Sequence, residues 1–135
     1  RGAVIFVDAS FWIGRALPRD SRYQTARAME DIVRREQLVT TELVLGEVWT
    51  ILRRRLGHLA THGAIDAIRA LSAIRIEPVD PTLVANAWAW LRVRDERPYS
   101  FVDATSFLTM RRFRISKALA FDTDFSAAGF TEMRL

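Results

Sequence analysis

Residues 4–14, VIFVDASFWIG, place an apolar run directly before Asp8 and two large aromatic residues directly after Ser10. The run at residues 3–7 predicts a buried β-strand, and residues 9–15 predict a short helix. Asp8 is a favourable residue to cap that helix, which would explain it without any function. It would instead belong to a functional site if carboxylates from other segments of the chain are placed beside it.

The composition fits one domain with a substantial core. The chain has 135 residues, half of them hydrophobic, which is the size of a single domain spanning residues 1–135. The absence of cysteine excludes disulfides and zinc–thiolate sites. No signal peptide is evident, and no apolar run reaches the roughly 18 residues needed to cross a membrane. We therefore expect a cytoplasmic protein without membrane association.

The charge balance is basic and rests almost entirely on arginine. Lys and Arg together number 20 against 16 Asp and Glu, and Lys117 is the only lysine. Arginine binds phosphate through a planar fork and stacks on bases. The balance therefore suits an anionic partner such as a nucleic acid. The alternative is a genomic bias towards arginine.

Short apolar runs alternate with amphipathic stretches along the rest of the chain. Further strands are predicted at residues 38–40, 75–79, 118–121 and 132–135. Further helices are predicted at residues 21–35, 41–56, 61–74, 80–94, 100–113 and 124–127. Strands separated by helices indicate β-α-β units, and therefore an α/β fold with a mainly parallel sheet covered on both faces.

Carboxylates stand where such a sheet binds ligands, beyond the carboxyl ends of its strands. Asp8 and Asp122 end predicted strands, and Asp103 begins the helix that leads into the Asp122 strand. Glu47 lies within the helix after the second strand. We therefore expect these four side chains to meet at one end of the sheet.

Capping offers an alternative for some of these acids. Asp122 precedes a helical turn, and Ser100-x-x-Asp103 has the pattern of a capping box. Glu47 is harder to explain, because its helical neighbours three and four residues away are Leu43, Val44, Thr50 and Ile51. A carboxylate beside an apolar stripe without a cation is costly. Glu47 therefore needs a positive partner from elsewhere.

Four carboxylates in one place would raise one another's pKa values unless a cation lies between them. Hard oxygen ligands suit Mg²⁺ or Mn²⁺, and such an ion activates water and neutralises a phosphodiester. A basic rim would attract the polyanion, and the candidates are Arg15, Arg19 and Arg22. His58 and His62 are expected at the surface, around the loop after the Glu47 helix.

The acidic motifs, taken in order, resemble the PIN domain. They are VDAS at 7–10, TTELVLGEV at 40–48, SFVDATSFLTMRR at 100–112 and ALAFDTDFSAAGF at 118–130. The resemblance is greatest to the toxin ribonucleases of bacterial VapBC toxin–antitoxin pairs, and it extends from Val4 to Phe130.

That resemblance implies a three-layer α/β/α fold with a mainly parallel sheet of four to five strands. It implies that four acids hold Mg²⁺ or Mn²⁺ and position the water that attacks RNA. They are Asp8, Glu47, Asp103 and Asp122. Accessory roles fall to Asp124, Ser10 and Ser100. The sequence departs from the family at Ala120, where Thr or Ser is frequent.

The resemblance also implies protein partners. A small antitoxin would lie across a groove, with candidate contacts at Phe11, Trp12, Trp49 and Leu56. Ordinary core packing is the alternative for these side chains. A homodimer is also implied, and the helix carrying Trp88, Trp90 and Leu91 is a candidate contact.

The function expected is therefore a metal-dependent endoribonuclease, the toxin of a type II toxin–antitoxin pair. The alternative is a non-catalytic PIN-like module that binds RNA or protein, which the loss of one acid would have favoured. A receiver domain needs a second acid beside the first strand and a late lysine after a strand, whereas Lys117 precedes its strand. A haloacid-dehalogenase-like enzyme needs Asp-x-Asp where this chain has DAS, and a FEN-like DNA nuclease normally needs a longer chain.

Overall fold

The computed structural model describes residues 3–134 and has a five-stranded sheet at its centre. Its strands are β1 (Val4–Val7), β2 (Gln37–Thr41), β3 (Ile74–Glu77), β4 (Lys117–Leu119) and β5 (Thr131–Glu132). The strand order is β3-β2-β1-β4-β5, and every neighbouring pair is parallel. The predicted parallel sheet is therefore confirmed.

The first strand occupies the middle of the sheet because its sequence suits burial on both sides. Ile5, Phe6 and Val7 are each at most 2% exposed, although successive side chains point to opposite faces. Both faces are therefore covered, as the α/β/α class requires. Strand order reverses at β1, which has β2 on one side and β4 on the other. The reversal creates a crevice beyond Val7.

Eight helices connect the strands within the described residues. They are α1 (Ala9–Ala16), α2 (Tyr23–Ala28), α3 (Glu30–Arg35), α4 (Glu42–Leu56), α5 (His58–Arg69), α6 (Pro81–Arg92), α7 (Phe101–Arg112) and α8 (Asp124–Ala127). Helix α4 packs against α1 and α5, and α6 packs against α7. None of the helices between residues 3 and 134 is both long and apolar enough to span a bilayer.

Several predicted boundaries are corrected. The helix predicted at 21–35 is two helices, which meet at the buried Met29. The helix predicted at 61–74 begins earlier, at His58, because Gly57 (φ 83°) turns the chain in one residue. It also ends earlier, since the carbonyl of Ala73 accepts from Leu38 at the edge of the sheet.

The last two strands also differ from the predictions. The strand predicted at 118–121 spans Lys117–Leu119, so Asp122 follows β4 by three residues. The strand predicted at 132–135 spans Thr131–Glu132, and Leu135 lies outside the described residues.

An aromatic cluster fixes the end of the chain against the helix that carries Asp103. The ring centroid of Phe125 lies 4.9 Å from that of Phe107 and 6.0 Å from that of Phe6. Phe130 stacks on Phe107 at 5.6 Å. These contacts join α7, α8 and β1, and they hold the turn at residues 122–124 beside the first turn of α7.

Candidate active site

One cavity of about 230 Å³ beyond β1 is lined by the four predicted carboxylates, each from a separate segment, and also by Asp20. Asp8 follows β1, Glu47 projects from α4, Asp103 from α7, and Asp122 from the turn after β4. We call this the acidic cavity. The structure thus brings together the four side chains expected at one end of the sheet. Their catalytic and metal-binding roles stay predictions.

Asp8 caps α1 and also faces the acidic cavity, so the two interpretations of this residue are compatible. Its Oδ2 accepts from the Ser10 backbone N–H at 3.1 Å and from the Ser10 hydroxyl at 2.8 Å. The Ser10 hydroxyl in turn accepts from the backbone N–H of Phe121 at 3.0 Å. Ser10 therefore orients Asp8 and ties it to the segment after β4.

The electrostatic environment of Asp8 disfavours its charged form. Burial, followed by the charge of Asp122, raises the pKa of Asp8 to about 7, although the hydrogen bonds from Ser10 oppose the shift. Asp8 is only 3% exposed. A cation in the cavity would therefore favour the ionised form of Asp8.

Asp103 likewise combines a structural bond with a place in the cavity. Ser100 caps α7 by accepting from the Asp103 N–H at 2.9 Å, and Asp103 Oδ2 accepts from the Ser100 N–H at 2.9 Å. Burial raises the pKa of Asp103 to about 6, with further increases from the charges of Asp124 and Asp122 and with opposition from the Ser100 bonds. The capping box therefore uses one oxygen of Asp103, while the residue still lines the acidic cavity.

Glu47 is half-buried on α4, as its apolar neighbours suggested. Among residues 3–134, no arginine or lysine forms an ion pair with it. Burial raises its pKa, and the charges of Asp103 and Asp122 raise it further. In the metal-free protein, no ion pair therefore offsets the free-energy cost of burying the Glu47 carboxylate.

Asp122 and Asp124 lie on either side of Thr123 in the turn after β4. One oxygen from each of Asp103, Asp122 and Asp124 lies within 4.8 Å of the other two. Burial raises the pKa of Asp122, while a hydrogen bond from the Asp124 N–H lowers it and the Asp124 charge raises it. Such a set of hard oxygen donors at bridging distance fits a divalent cation.

Two residues at this site were missed by the sequence analysis. Asp20 lines the acidic cavity, and its Oδ1 accepts from the Arg22 N–H at 2.8 Å. Arg97 forms an ion pair with Asp124 at 2.7 Å. Asp20 stands in a Pro-Arg-Asp-Ser turn, which gave a signal for a loop only. Arg97 gave none, since its partner is 27 residues away.

The three predicted rim arginines separate in the structure. Arg22 lines the acidic cavity, with its guanidinium over the ring of Phe121 at 5.8 Å. Arg15 pairs with Glu30 at 2.9 Å, and Arg19 lies near Leu56, both away from the acidic cavity. Arg15 and Arg19 do not line this cavity, because Arg15 at the end of α1 faces α3 and Arg19 lies in the loop after α1. Their role in RNA binding stays a prediction.

A second cavity, of about 270 Å³, is an apolar groove between α1, α4 and α5. It is lined by Trp12, Arg15, Ala16, Leu52, Leu56, Ala60, Ala64, Ala67 and Ile68. Trp12 is 2% exposed, and among residues 3–134 its indole N–H has no acceptor. Of the residues predicted for a partner groove, Trp12 and Leu56 meet here.

The other two predicted groove residues lie elsewhere. Phe11 is fully buried and packs against Phe121 at 5.9 Å, so core packing explains it. Trp49 contacts the rings of His58 and His62 at 5.7 and 4.8 Å. Both histidines are exposed, as expected, but they belong to α5 rather than to a loop.

Comparisons with known proteins agree with this geometry. The sequence profile of the family described as PIN domain matches residues 5–131. The chain is 49% identical over 131 residues to the 23S rRNA-specific endonuclease VapC20 of Mycobacterium tuberculosis, from strains CDC 1551 / Oshkosh and ATCC 25618 / H37Rv. These alignments cover 97% of this chain and 98% of each relative.

A solved structure gives the same match in three dimensions. The crystal structure of Mycobacterium tuberculosis VapC20, described as a sarcin–ricin loop cleaving toxin, superposes with a TM-score of 0.89. It is 49% identical in sequence and covers 97% of this chain and 99% of its own. The similarity therefore extends over the sheet, the acidic cavity and the groove together.

Proposed function

The chain belongs to the PIN-domain family, and from this premise we propose that it is a metal-dependent endoribonuclease, the toxin of a type II toxin–antitoxin pair. The observation that carries the proposal is the acidic cavity, where four carboxylates of a chain 49% identical to an rRNA endonuclease meet, and none of the four has an ion-pair partner among residues 3–134. A cavity of this charge cannot receive an RNA backbone unless a cation is present.

We assign the cation to Asp8, Glu47, Asp103 and Asp122, with Asp124 beside them. Mg²⁺ is the ion we propose, and Mn²⁺ would fit the same oxygen donors. When bound, the ion would polarise the scissile phosphate and lower the pKa of an attacking water. The raised pKa values of Asp8 and Asp103 support this assignment, because carboxyl groups at about 7 and about 6 become ligands by losing protons.

The other side chains of the cavity have positioning roles in this proposal. Ser10 donates to Oδ2 of Asp8, which fixes the direction of its other oxygen. Arg22 presents a guanidinium at the cavity wall, where it would pair with an RNA phosphate. Ala120 is 1% exposed and offers no hydroxyl, so the hydroxyl nearest to Asp8 is that of Ser10.

We further propose that the substrate is 23S ribosomal RNA, as for VapC20. The supporting observation is sequence identity of 49% in an alignment that covers 97% of this chain. An enzyme acting on ribosomes would work in the cytoplasm. Residues 1–135 are proposed to form one domain, with support from the single sheet and from the family match over residues 5–131.

We propose that a small antitoxin occupies the apolar groove. An apolar segment would fill the space above the three alanines of α5. Arg15, at the groove edge, would meet an acidic side chain. This places the antitoxin on α1, one turn away from Asp8.

A homodimer is proposed through α6. Trp88 is 55% exposed and stacks on Phe101 at 4.4 Å, and Val93 is 71% exposed. Such an aromatic surface suits a protein contact. Trp90, which was a candidate contact on the same helix, is buried against Tyr99 and Phe107 and belongs to the core.

Cleavage of ribosomes and of total RNA tests the function. We expect the purified protein to cut 23S rRNA with Mg²⁺ or Mn²⁺ and to be inactive with EDTA. Asp8→Asn should reduce the rate at least about 100-fold, whereas Asp31→Asn, an exposed acid on α3, should not. If the unaltered protein and Asp8→Asn both bind RNA but neither cuts it, the binding-module alternative replaces this proposal.

A further inference from the structure

Arg97 connects two loops that meet beside the acidic cavity. It lies between α6 and α7, and its guanidinium reaches the turn after β4. Nε and Nη2 donate to Asp124 Oδ1 at 3.1 and 2.7 Å, and Nη2 also donates to the Thr123 hydroxyl at 3.2 Å. One side chain therefore holds two adjacent residues of that turn.

The turn that Arg97 holds is strained. Thr123 has φ 64°, a left-handed conformation that is unfavourable for a β-branched residue. Backbone strain of this kind persists only where the surroundings enforce it. Apart from Arg97, the Thr123 hydroxyl bonds only to the carbonyl of its neighbour Asp122 within the described residues.

The strained conformation brings two carboxylates onto the same side of the turn. With Thr123 left-handed, the Asp124 N–H donates to Asp122 Oδ1 at 3.1 Å. In this arrangement Asp122 and Asp124 each place an oxygen within 4.8 Å of the other and of Asp103. An extended Thr123 would open the turn and break this hydrogen bond, so that Asp122 and Asp124 would be drawn apart along the chain.

We propose that Arg97 is a positioning residue, which keeps Thr123 left-handed and so holds Asp122 and Asp124 beside Asp103 for a cation. The inference rests on the proposed function, since it assumes that these carboxylates hold a metal. Arg97 acts through the turn and does not need to touch RNA.

A purely electrostatic role for Arg97 predicts the opposite sign. A guanidinium beside carboxylates repels a divalent cation, so its removal should tighten metal binding. If Arg97 instead orders the ligands, its removal should weaken binding despite the loss of a nearby positive charge. The sign of the change therefore distinguishes the two roles.

The test measures Mn²⁺ affinity by electron paramagnetic resonance titration of the full chain without RNA. We expect about a tenfold loss for Arg97→Gln, the usual scale for a residue that orients metal ligands. Arg97→Lys keeps the charge but not the planar fork, and should lose most of the same affinity. Arg112→Gln is the matched control, because Arg112 at the end of α7 also pairs with an aspartate, the Asp80 that caps α6, and neither residue lines the acidic cavity.

A second substitution keeps the test independent of folding losses. Asparagine adopts the left-handed region more readily than threonine, so Arg97→Gln/Thr123→Asn should recover most of the Mn²⁺ affinity. Equal or tighter binding by Arg97→Gln, or no recovery in the double variant, would overturn the inference alone. If the unaltered protein fails to bind Mn²⁺, the metal site of the proposed function fails with it.

Discussion

At the scale of single residues, the buried carboxyl groups of the acidic cavity lower the stability of the metal-free protein when they ionise. Asp8 and Asp103 have pKa values raised to about 7 and about 6, from an ordinary value of 3.8, chiefly by burial. In the unfolded chain both groups lose their protons near the ordinary value. The stabilisation due to these groups is therefore complete below about pH 4 and is lost as pH rises through 6 to 7.

This sign gives a measurable pH dependence for the metal-free protein. We expect the deprotonation of Asp8 and Asp103 to lower the Tm in EDTA as pH rises from about 4 to about 7. Asp8→Asn should flatten part of that slope, since an amide does not titrate. Added Mn²⁺ should raise the Tm most at the upper end, where the ligands are ionised. A slope that is unchanged in Asp8→Asn would contradict this account.

Glu47 provides a second prediction at the same scale. Its half-buried carboxylate has no ion-pair partner among residues 3–134, and burial raises its pKa. Glu47→Gln should therefore raise the free energy of unfolding of the metal-free protein near pH 8, while RNA cleavage falls about 100-fold. Urea unfolding and an rRNA cleavage assay measure the two effects. Glu96→Gln, an exposed acid outside the cavity, should change neither.

At the scale of elements, the capping box of α7 fixes both the helix and its carboxylate. Ser100 accepts from the Asp103 N–H at 2.9 Å. Ser100→Ala should lower the free energy of unfolding by about 1 kcal/mol, as loss of an N-cap does. Urea denaturation measures this, with Ser116→Ala, an exposed serine before β4, as the control. Equal midpoints for the two variants would contradict the assigned cap.

The elements also show what could be predicted from the sequence. The strand before Asp8, helix α4 and helix α7 were predictable because each carries its own apolar pattern and end signal. The break at Met29 was not, since its signal is burial against the rest of the core.

The residues of the acidic cavity were likewise predictable only in part. The convergence of Asp8, Glu47, Asp103 and Asp122 followed from the topology of a parallel sheet. The ion pair of Arg97 with Asp124 depends on two loops meeting in space, and no local pattern encodes it. Arg15 was misplaced because its helical direction depends on how α1 packs.

At the scale of the whole molecule, the apolar groove and the acidic cavity share no lining residue. Antitoxin binding and RNA cleavage should therefore be separable by substitution. Ala64 lines the groove but not the acidic cavity. Ala64→Glu should weaken antitoxin binding at least about tenfold, because it buries a charge in an apolar contact. RNA cleavage should be retained and should escape inhibition by the antitoxin. Calorimetry and an inhibition assay test this, with Ala28→Glu, at an exposed position on α2, as the control.

The exposed aromatic surface of α6 gives a prediction about assembly. Trp88 is 55% exposed, and replacing it by Glu would place a charge at the proposed dimer contact. Trp88→Glu should sediment as a monomer at concentrations where the unaltered protein is a dimer. Leu59→Glu, which changes a residue that is 85% exposed on α5, should leave the assembly unchanged. A monomeric unaltered protein would remove the dimer from the proposal.

The eight residues of α1 belong to two sites at once. Ser10 orients Asp8, and Trp12, two positions later, closes the groove. If the antitoxin occupies the groove as proposed, a substitution of Trp12 that weakens its binding would also disturb the buried packing beside Asp8. Resistance that spares the nuclease should therefore arise through α5, which lines the groove alone, rather than through α1.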